Sequence, residues 1–339
     1  MTAIVSVLVS LCSLFAALTG WIPAVPARSL FAGSGEGAPV DTLTLPLEGG
    51  SDPWYVEHEG RYYYCYSIGE GVGVRVSDRV STLGTGTEYI AYHADPGTDH
   101  SWGYWAPEMH YLDGAWYIYV AACDGRNETH RMFVLKSESP TGPYEMLGKI
   151  APEADFWAID GTVLTLGGER YFIWSGWEGE TDEGQNLYLA HMADPAHIDG
   201  PRVKISVPTK KWEKNGAPIN EGPAVLQKDG RTFVVYSASG SWTDDYCLGL
   251  LTLTGDPTDP AAWAKCPVPV LKKTDTAYGP GHPSFLRGAD GTDYIVYHAN
   301  LVSGTGWNGR TVRVQPFTWR CGFPVFGKPL PAGSTVAFR

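Results

Sequence analysis

A short run of aromatic and β-branched residues recurs five times along the chain, each time just after a turn that contains glycine. The runs read RYYYCYS, AWYIYVA, RYFIWSG, RTFVVYS and DYIVYHA, beginning at Arg61, Ala115, Arg170, Arg231 and Asp293. Such a run is typical of a strand that a hairpin turn precedes. Successive runs are roughly 53 to 63 residues apart, which suits a four-stranded blade with long loops. The pattern therefore predicts an all-β fold, a five-bladed β-propeller.

A second position in each repeat lies about eight to ten residues before the turn glycine and is followed by proline or glycine. This position is occupied in the five repeats by Asp52, Ala106, Asp160, Glu221 and His282. If it opens the innermost strand of each blade, the five residues face one another across the central channel of the propeller. The sequence thus predicts three carboxylates and one histidine converging on the propeller axis.

Composition and charge narrow the choice of partner. The 41 glycines, 25 prolines and 13% aromatic residues suit many short strands joined by tight turns. The repeats span residues 51 to about 299 and leave no room for a second full domain, and the segment 29–50 is expected to help close the last blade. A net charge of −12 argues against nucleic acid or an anionic membrane as partner, because both require a basic surface. We therefore expect a neutral ligand.

The first residues are typical of a targeting segment. Residues 3–18 carry no charge, and small residues at positions 25–27 suit cleavage after Ala27. The basic residues that usually precede such an apolar run are absent, so a membrane anchor or a misassigned start is the alternative. We expect a signal peptide at 1–27, a catalytic domain at 28–339, and a secreted, extracellular protein that has no membrane contact after the signal is removed.

Five cysteines remain after residue 27, an odd number, so at least one thiol is free or paired between chains. Cys65 and Cys123 lie in or just after predicted strands and are expected to be buried thiols. Cys266 is a candidate for a bridge with Cys247 or Cys321. No pair of cysteines has the CxxC spacing, which argues against a structural zinc site.

The three predicted axial acids suit the hydrolysis of a glycosidic bond. That reaction needs one carboxylic acid to protonate the leaving oxygen and a second carboxylate that acts from the other face of the sugar. An aspartate before proline or glycine often simply begins a turn, which is the alternative for any one of Asp52, Asp160 and Glu221. The coincidence of three acids at the same position of three repeats favours a catalytic site.

Motifs in all five repeats resemble glycoside hydrolase family 43, in order, from about residue 45 to 325. They are SDPWYVEHEG from Ser51, YWAPEMHYLDGAWYIYVAA from Tyr104, WAIDGTVL from Trp157, INEGPAVL from Ile219 and GPGHPSFL from Gly279. The resemblance implies a five-bladed propeller and an inverting mechanism. At the matching positions it implies that Asp52 is the general base, that Glu221 is the general acid, and that Asp160 raises the pKa of the acid and holds it in place.

The resemblance also suggests residues around the three acids. It implies that His282 faces a cation on the propeller axis, although a lone histidine beside proline is more often simply packed. One imidazole cannot hold calcium tightly, since that ion takes six to eight oxygen ligands. We therefore expect one hydrated calcium ion and no organic cofactor. Arg313 matches a position that reaches the sugar pocket in relatives, with a surface-strand arginine as the alternative. Trp105 and Trp177 are expected to stack on sugar faces.

Three further segments look most like α-L-arabinofuranosidase members of the family: WSGWEG, YSASGSW and RVQPFTW. We therefore expect an exo-acting enzyme that releases L-arabinose from arabinan or arabinoxylan of the plant cell wall. The alternative is a β-xylosidase or another family 43 activity on xylan, arabinan or galactan. A non-catalytic sugar-binding propeller is the alternative outside enzymes, and it would be expected to lack at least one of the three acids.

Overall fold

The computed structural model describes residues 40–150 and 155–339, so the predicted signal peptide at 1–27 lies outside the described residues. The structure contains 55% strand and 6% helix, and its strands form five blades arranged as a β-propeller. The predicted fold class is therefore confirmed. None of the helices within the described ranges is long and apolar enough to cross a membrane.

Each blade is an antiparallel sheet whose strands follow one another along the chain. Two short strands come first, β1 (Asp41–Thr44) and β2 (Glu48–Gly49). Blade one contains β3 (Trp54–His58), β4 (Arg61–Ser67), β5 (Gly71–Ser77) and β6 (Thr87–His93). Blade two contains β7 (Trp102–Leu112), β8 (Ala115–Cys123), β9 (Arg131–Ser137) and β10 (Glu145–Lys149). Blade three contains β11 (Ala158–Leu166), β12 (Glu169–Gly176) and β13 (Asn186–Asp194), with which both β14 (His197–Ile198) and β15 (Val203–Ser206) pair.

The remaining strands complete the ring. Blade four contains β16 (Asn220–Lys228), β17 (Arg231–Ala238), β18 (Cys247–Leu253) and β19 (Trp263–Lys265). Blade five contains β20 (Tyr278–Arg287), β21 (Asp293–Asn300) and β22 (Arg310–Arg320), with β23 (Phe323–Val325) paired to β22, and β24 (Thr335–Phe338) follows. Short 3₁₀ helices in the described connections cover Val80–Thr85, Asn127–Thr129, Lys211–Glu213, Pro260–Ala262 and Gly306–Gly309.

The five repeated runs are the second strands of the blades, and burial on both faces explains their composition. In β8 every residue is buried. Successive side chains of a strand point to opposite faces. Accordingly Tyr117 and Tyr119 pack in the core between blades two and three, whereas Trp116 and Ile118 pack in the core between blades one and two. A strand between two neighbouring blades is apolar on both faces, which produces a nearly continuous run of large hydrophobic residues.

Residues from the beginning of the described chain close the ring, as the sequence predicts for the segment before residue 50. Strand β2 pairs with β22 and supplies the fourth strand of blade five, with Glu48 opposite Val312. Strand β1 pairs antiparallel with β24, with Thr42 opposite Ala337. The two ends of the described chain therefore hold the last blade against the first.

One residue at the start of each inner strand has a left-handed backbone, and this position defines the true equivalence between blades. The φ angles are 50° at Asp52, 44° at Ala106, 55° at Asp160, 50° at Gly222 and 53° at His282. In blades two to five the residue lies at an irregularity in the pairing of the two inner strands. A bulge of this kind locally re-aims side chains.

The equivalence corrects the sequence alignment in blade four. Gly222, and not Glu221, occupies the position of Asp52 and Asp160, and Glu221 is equivalent to Trp105 of blade two, since both immediately precede the left-handed residue. The reason is that the left-handed position favours glycine as well as aspartate. In blades two and three the left-handed residue and the residue before it both line the axial cavity, and Glu221, the residue before Gly222, lines it in blade four.

The cysteines agree in part with expectation. Cys65 and Cys123 are buried thiols, as predicted. Cys247 and Cys266 are also free thiols, so the bridge expected at Cys266 is not formed in this structure.

Candidate active site

Loops from all five blades surround a cavity of about 870 Å³ at one end of the propeller axis. The three predicted acids, Asp52, Asp160 and Glu221, line it together with His282. The structure thus brings together four side chains that are up to 230 residues apart in the sequence. Five tryptophans also line the cavity: Trp105, Trp157, Trp177, Trp242 and Trp307.

Asp52 is held in its ionised form by positive neighbours. Its Oδ1 lies 3.2 Å from Nδ1 of His282 and 3.4 Å from Nη1 of Arg310. Burial alone would raise the pKa of Asp52, but the charges of His282 and Arg310, with a hydrogen bond from His282, hold it well below its usual range. The side chain remains 23% exposed to the cavity. Asp52 therefore offers a solvent-accessible carboxylate at neutral pH.

His298 contacts the backbone of Asp52, and this residue was not predicted from the sequence. The imidazole is fully buried, and burial lowers its pKa to about 3, so the ring is neutral. The backbone N–H of Asp52 donates to Nδ1 of His298 at 3.1 Å. Because this bond fixes the backbone of Asp52 in its left-handed conformation, His298 acts as a positioning residue. The only sequence signal was its place at the end of the fifth repeated run.

Glu221 has the opposite electrostatic environment. Burial and the nearby negative charge of Asp160 raise its pKa to about 8. The hydroxyl of Tyr246 donates to Oε1 of Glu221 at 2.8 Å, which fixes the orientation of the carboxyl group. Glu221 is therefore protonated at neutral pH and can give up a proton inside the cavity.

Asp160 connects the two other acids. Burial and the charge of Asp52 raise its pKa, and the charge of His282 and the backbone N–H of Gly222 oppose this rise. That N–H donates to Oδ2 of Asp160 at 3.0 Å, which ties Asp160 to the residue after Glu221. A Cβ at position 222 would lie 3.0 Å from Nδ1 of His282 and 3.1 Å from Oγ of Ser237. Position 222 is thus crowded as well as left-handed, so glycine fits both conditions.

His282 is charged, which bears on the predicted calcium ion. Burial lowers its pKa, but the negative charges of Asp52 and Asp160 outweigh burial and raise the pKa to about 9. A protonated imidazole has no lone pair for a cation. Among the described residues, no group of three or more His, Cys, Asp or Glu side chains could hold a metal ion. These residues do not fit a directly ligated metal. The hydrated calcium ion stays a prediction.

The predicted role of Arg313 requires a correction. Arg313 is buried away from the cavity, and its Nη1 donates to the carbonyl of Leu330. The cavity arginine is Arg310, three residues earlier on β22. Because side chains alternate along a strand, residues three apart face opposite sides. Arg310 reaches the cavity, and Arg313 packs against Tyr297 on the neighbouring strand.

The two predicted tryptophans line the cavity in different ways. Trp105 is 42% exposed and stacks on His130 with ring centroids 3.8 Å apart, which leaves its other face free for a ligand. Trp177 is buried and lies nearly parallel to Trp157 at 4.9 Å. Trp105 can therefore stack on a sugar, whereas Trp177 mainly shapes the wall.

The fold and the cavity define a five-bladed propeller whose axial pocket holds three carboxyl groups, of which Asp52 is ionised and Glu221 is protonated at neutral pH. The chain belongs to glycosyl hydrolases family 43, whose sequence pattern matches residues 47–324.

Three of the similar proteins are named as α-L-arabinofuranosidases. Alpha-L-arabinofuranosidase 43 of Humicola insolens is 36% identical over 303 residues, which is 84% of this chain and 63% of that protein. The extracellular exo-α-(1→5)-L-arabinofuranosidase of Streptomyces chartreusis is 36% identical over 261 residues, which is 74% of this chain and 79% of that protein. The crystal structure of α-L-arabinofuranosidase from Lactobacillus brevis superposes with a TM-score of 0.81 at 32% identity, covering 86% of this chain and 98% of that one.

Proposed function

We propose that the protein is an inverting exo-α-L-arabinofuranosidase that releases L-arabinose from arabinan or arabinoxylan. The observation that carries the proposal is the pair of opposite charge states in one cavity: the pKa of Asp52 is held low, and that of Glu221 is raised to about 8. An inverting glycosidase needs an ionised base and a protonated acid at the same pH. The names of the similar proteins support the choice of sugar.

The chemistry follows from these charge states. Asp52 takes a proton from a water molecule as the water oxygen bonds to the anomeric carbon. Glu221 gives its proton to the glycosidic oxygen as the bond from that oxygen to the anomeric carbon breaks. Water and leaving group are on opposite faces of the sugar, so the configuration inverts and β-L-arabinofuranose forms first. This displacement requires roughly 6.5 to 9.5 Å between the two carboxyl groups.

Location and natural substrate form part of the same proposal. We infer a secreted enzyme that acts on plant cell-wall polysaccharide, and this inference is supported by the similarity to the extracellular enzyme of Streptomyces chartreusis. The net charge of −12 supports a neutral polysaccharide over nucleic acid as the partner.

A substrate panel and the configuration of the first product test the proposal. We expect 4-nitrophenyl α-L-arabinofuranoside, arabinan and arabinoxylan to release arabinose, with 4-nitrophenyl β-D-xyloside cleaved far more slowly. Proton NMR at early times should show the β-anomer before mutarotation. Faster cleavage of the xyloside would favour a β-xylosidase, and first release of the α-anomer would exclude inversion.

Replacing Asp160 by asparagine should move the basic limb of the pH profile of kcat/KM to lower pH. The acid must be protonated, so activity is present below the pKa of Glu221, about 8, and is lost as pH rises through it. Removing the negative charge of Asp160 removes one cause of that raised pKa, so the loss should begin at lower pH. A basic limb that stays near pH 8 in the variant would show that Asp160 does not control the acid.

A further inference from the structure

Two exposed tryptophans lie together at the rim of the cavity, and neither has a role in the proposed reaction described above. Trp242 is 43% exposed and Trp307 is 62% exposed. Their rings meet nearly at a right angle, with centroids 5.9 Å apart and an interplanar angle of 77°. Both line the cavity. We call this pair the tryptophan corner. Large indoles left partly in water at a cavity rim are typical of surfaces that a ligand covers.

Two loops that are hydrogen-bonded to each other carry the corner. Trp242 lies in the loop after β17, and Trp307 lies in the 3₁₀ helix between β21 and β22. The indole N–H of Trp307 donates to Oγ of Ser241 at 3.0 Å. The carboxylate of Asp244 accepts the backbone N–H of Gly304 at 2.9 Å, which joins the same two loops a second time. The blade-four and blade-five loops therefore hold the two indoles as one unit.

The indole of Trp242 also packs closely against two glycines, Gly240 of its own loop and Gly216 of the connection before β16. A Cβ at Gly240 would come within 2.8 Å of the Trp242 ring, and a Cβ at Gly216 would come within 3.3 Å of its indole nitrogen. Glycines at both positions therefore leave room for the ring. A ring held in this way loses little further freedom when a ligand covers it, which favours binding.

The corner is close along the chain to residues that contact both the acid and the base. Tyr246, four residues after Trp242, donates to Oε1 of Glu221. Arg310 joins the corner to the base, because its Nη2 donates to the carbonyl of Ser241 at 3.1 Å and its Nη1 lies 3.4 Å from Asp52. The cleaved sugar must lie between Asp52 and Glu221, which are mostly buried, so the sugar of the leaving group extends towards the open rim, where the two exposed indoles lie.

We propose that Trp242 and Trp307 form the binding site for the first sugar of the leaving group, whose apolar face stacks on an indole. The proposal rests on the proposed glycosidase function. It makes the corner a determinant of specificity: a saccharide leaving group gains binding energy there that a leaving group without a ring does not.

The test compares two substrates with the same arabinofuranosyl group. α-(1→5)-Arabinobiose has a sugar leaving group that reaches the corner, whereas α-L-arabinofuranosyl fluoride has only a fluoride ion. We expect Trp307→Ala and Trp242→Ala to lower kcat/KM for arabinobiose by about 10-fold each, with less than about a 2-fold change for the fluoride. Trp307→Phe, which keeps an aromatic face, should recover most of the loss.

The matched control is Trp102→Ala, which removes an indole that is 53% exposed but lies outside the cavity lining. It should leave both rates unchanged. Equal losses on the two substrates in the Trp307 variants, or no loss on either, would overturn the assignment of the corner. Wild-type enzyme that cleaves neither substrate would instead overturn the proposed function, so the two failures are distinguishable.

Discussion

Replacing Glu221 by glutamine should lower turnover of α-(1→5)-arabinobiose by about 10²–10⁴-fold, the usual contribution of a positioned acid. Glutamine keeps an oxygen that can accept the hydrogen bond from Tyr246, which donates at 2.8 Å in the wild type, but it has no proton to give. The loss on α-L-arabinofuranosyl fluoride should be far smaller, because fluoride leaves without a proton. The measurement is kcat on the two substrates for the wild type and the variant. Equal losses on both would remove Glu221 from the acid role.

The stability of this variant provides the control for misfolding. The pKa of Glu221 is about 8 in the folded state against an ordinary value of 4.5. For a group with a raised folded pKa, the contribution to stability is complete below the unfolded pKa and is lost as pH rises through the folded value. The wild type should therefore lose stability relative to Glu221→Gln between about pH 4.5 and 8. At pH 7 the Tm of the variant should be no lower than that of the wild type.

The sequence predicted the fold because the evidence for it is local. Each second strand of a blade is buried on both faces, and this requirement produces a run such as AWYIYVA directly after a glycine turn. The number of runs then sets the number of blades. The position of the bulge in the inner strand could not be predicted from this pattern, because it depends on the backbone conformation of one residue in each blade. In four of the five blades the left-handed residue is followed by proline: Asp52, Ala106, Gly222 and His282. This proline is the sequence signal that favours Gly222 over Glu221 as the equivalent position in blade four.

The side chains around the acids were harder to predict, because their positions depend on strand register and on contacts between blades. Whether Arg310 or Arg313 reaches the cavity depends on the register of one strand, and a shift of an odd number of residues exchanges the two faces. His298 acts through a backbone N–H, and such a contact leaves no mark in the spacing of residues. Trp242 and Trp307 lie in loops, whose conformation is set by contacts with another blade.

Charge differences at the site depend on blade order. Asp52 is beside His282 and Arg310, both from blade five, the neighbour that the ring closure brings to blade one. Glu221 is beside Asp160 of blade three and has a neutral hydroxyl, that of Tyr246, as its hydrogen-bond partner. Similar carboxyl groups therefore acquire opposite charge states because the positive residues contact Asp52 directly, whereas burial and the charge of Asp160 have the largest effects on Glu221.

Replacing Asp52 by asparagine should abolish hydrolysis of both arabinobiose and the fluoride, since water needs a base whatever the leaving group. This result separates the base from the acid, whose loss should spare the fluoride. The expected decrease is about 10²–10⁴-fold on each substrate. Asparagine tolerates the left-handed backbone at φ 50°, so the fold should be retained. Rates close to those of the wild type on either substrate would contradict the assignment of Asp52.

Rescue of the Asp52→Ala variant by azide provides a second test of Asp52 as the base. Asp52→Ala should fold, because Ala106 already occupies the equivalent left-handed position in blade two with φ 44°. Azide needs no deprotonation, so it can bond to the anomeric carbon as fluoride departs and restore turnover of arabinofuranosyl fluoride in the variant. The displacement inverts the configuration, so NMR should identify β-L-arabinofuranosyl azide. Azide should give no acceleration in the wild type, where Asp52 repels an anion. An α-configured azide would mean that the displacement occurs in two steps, and would overturn both inversion and the role of Asp52.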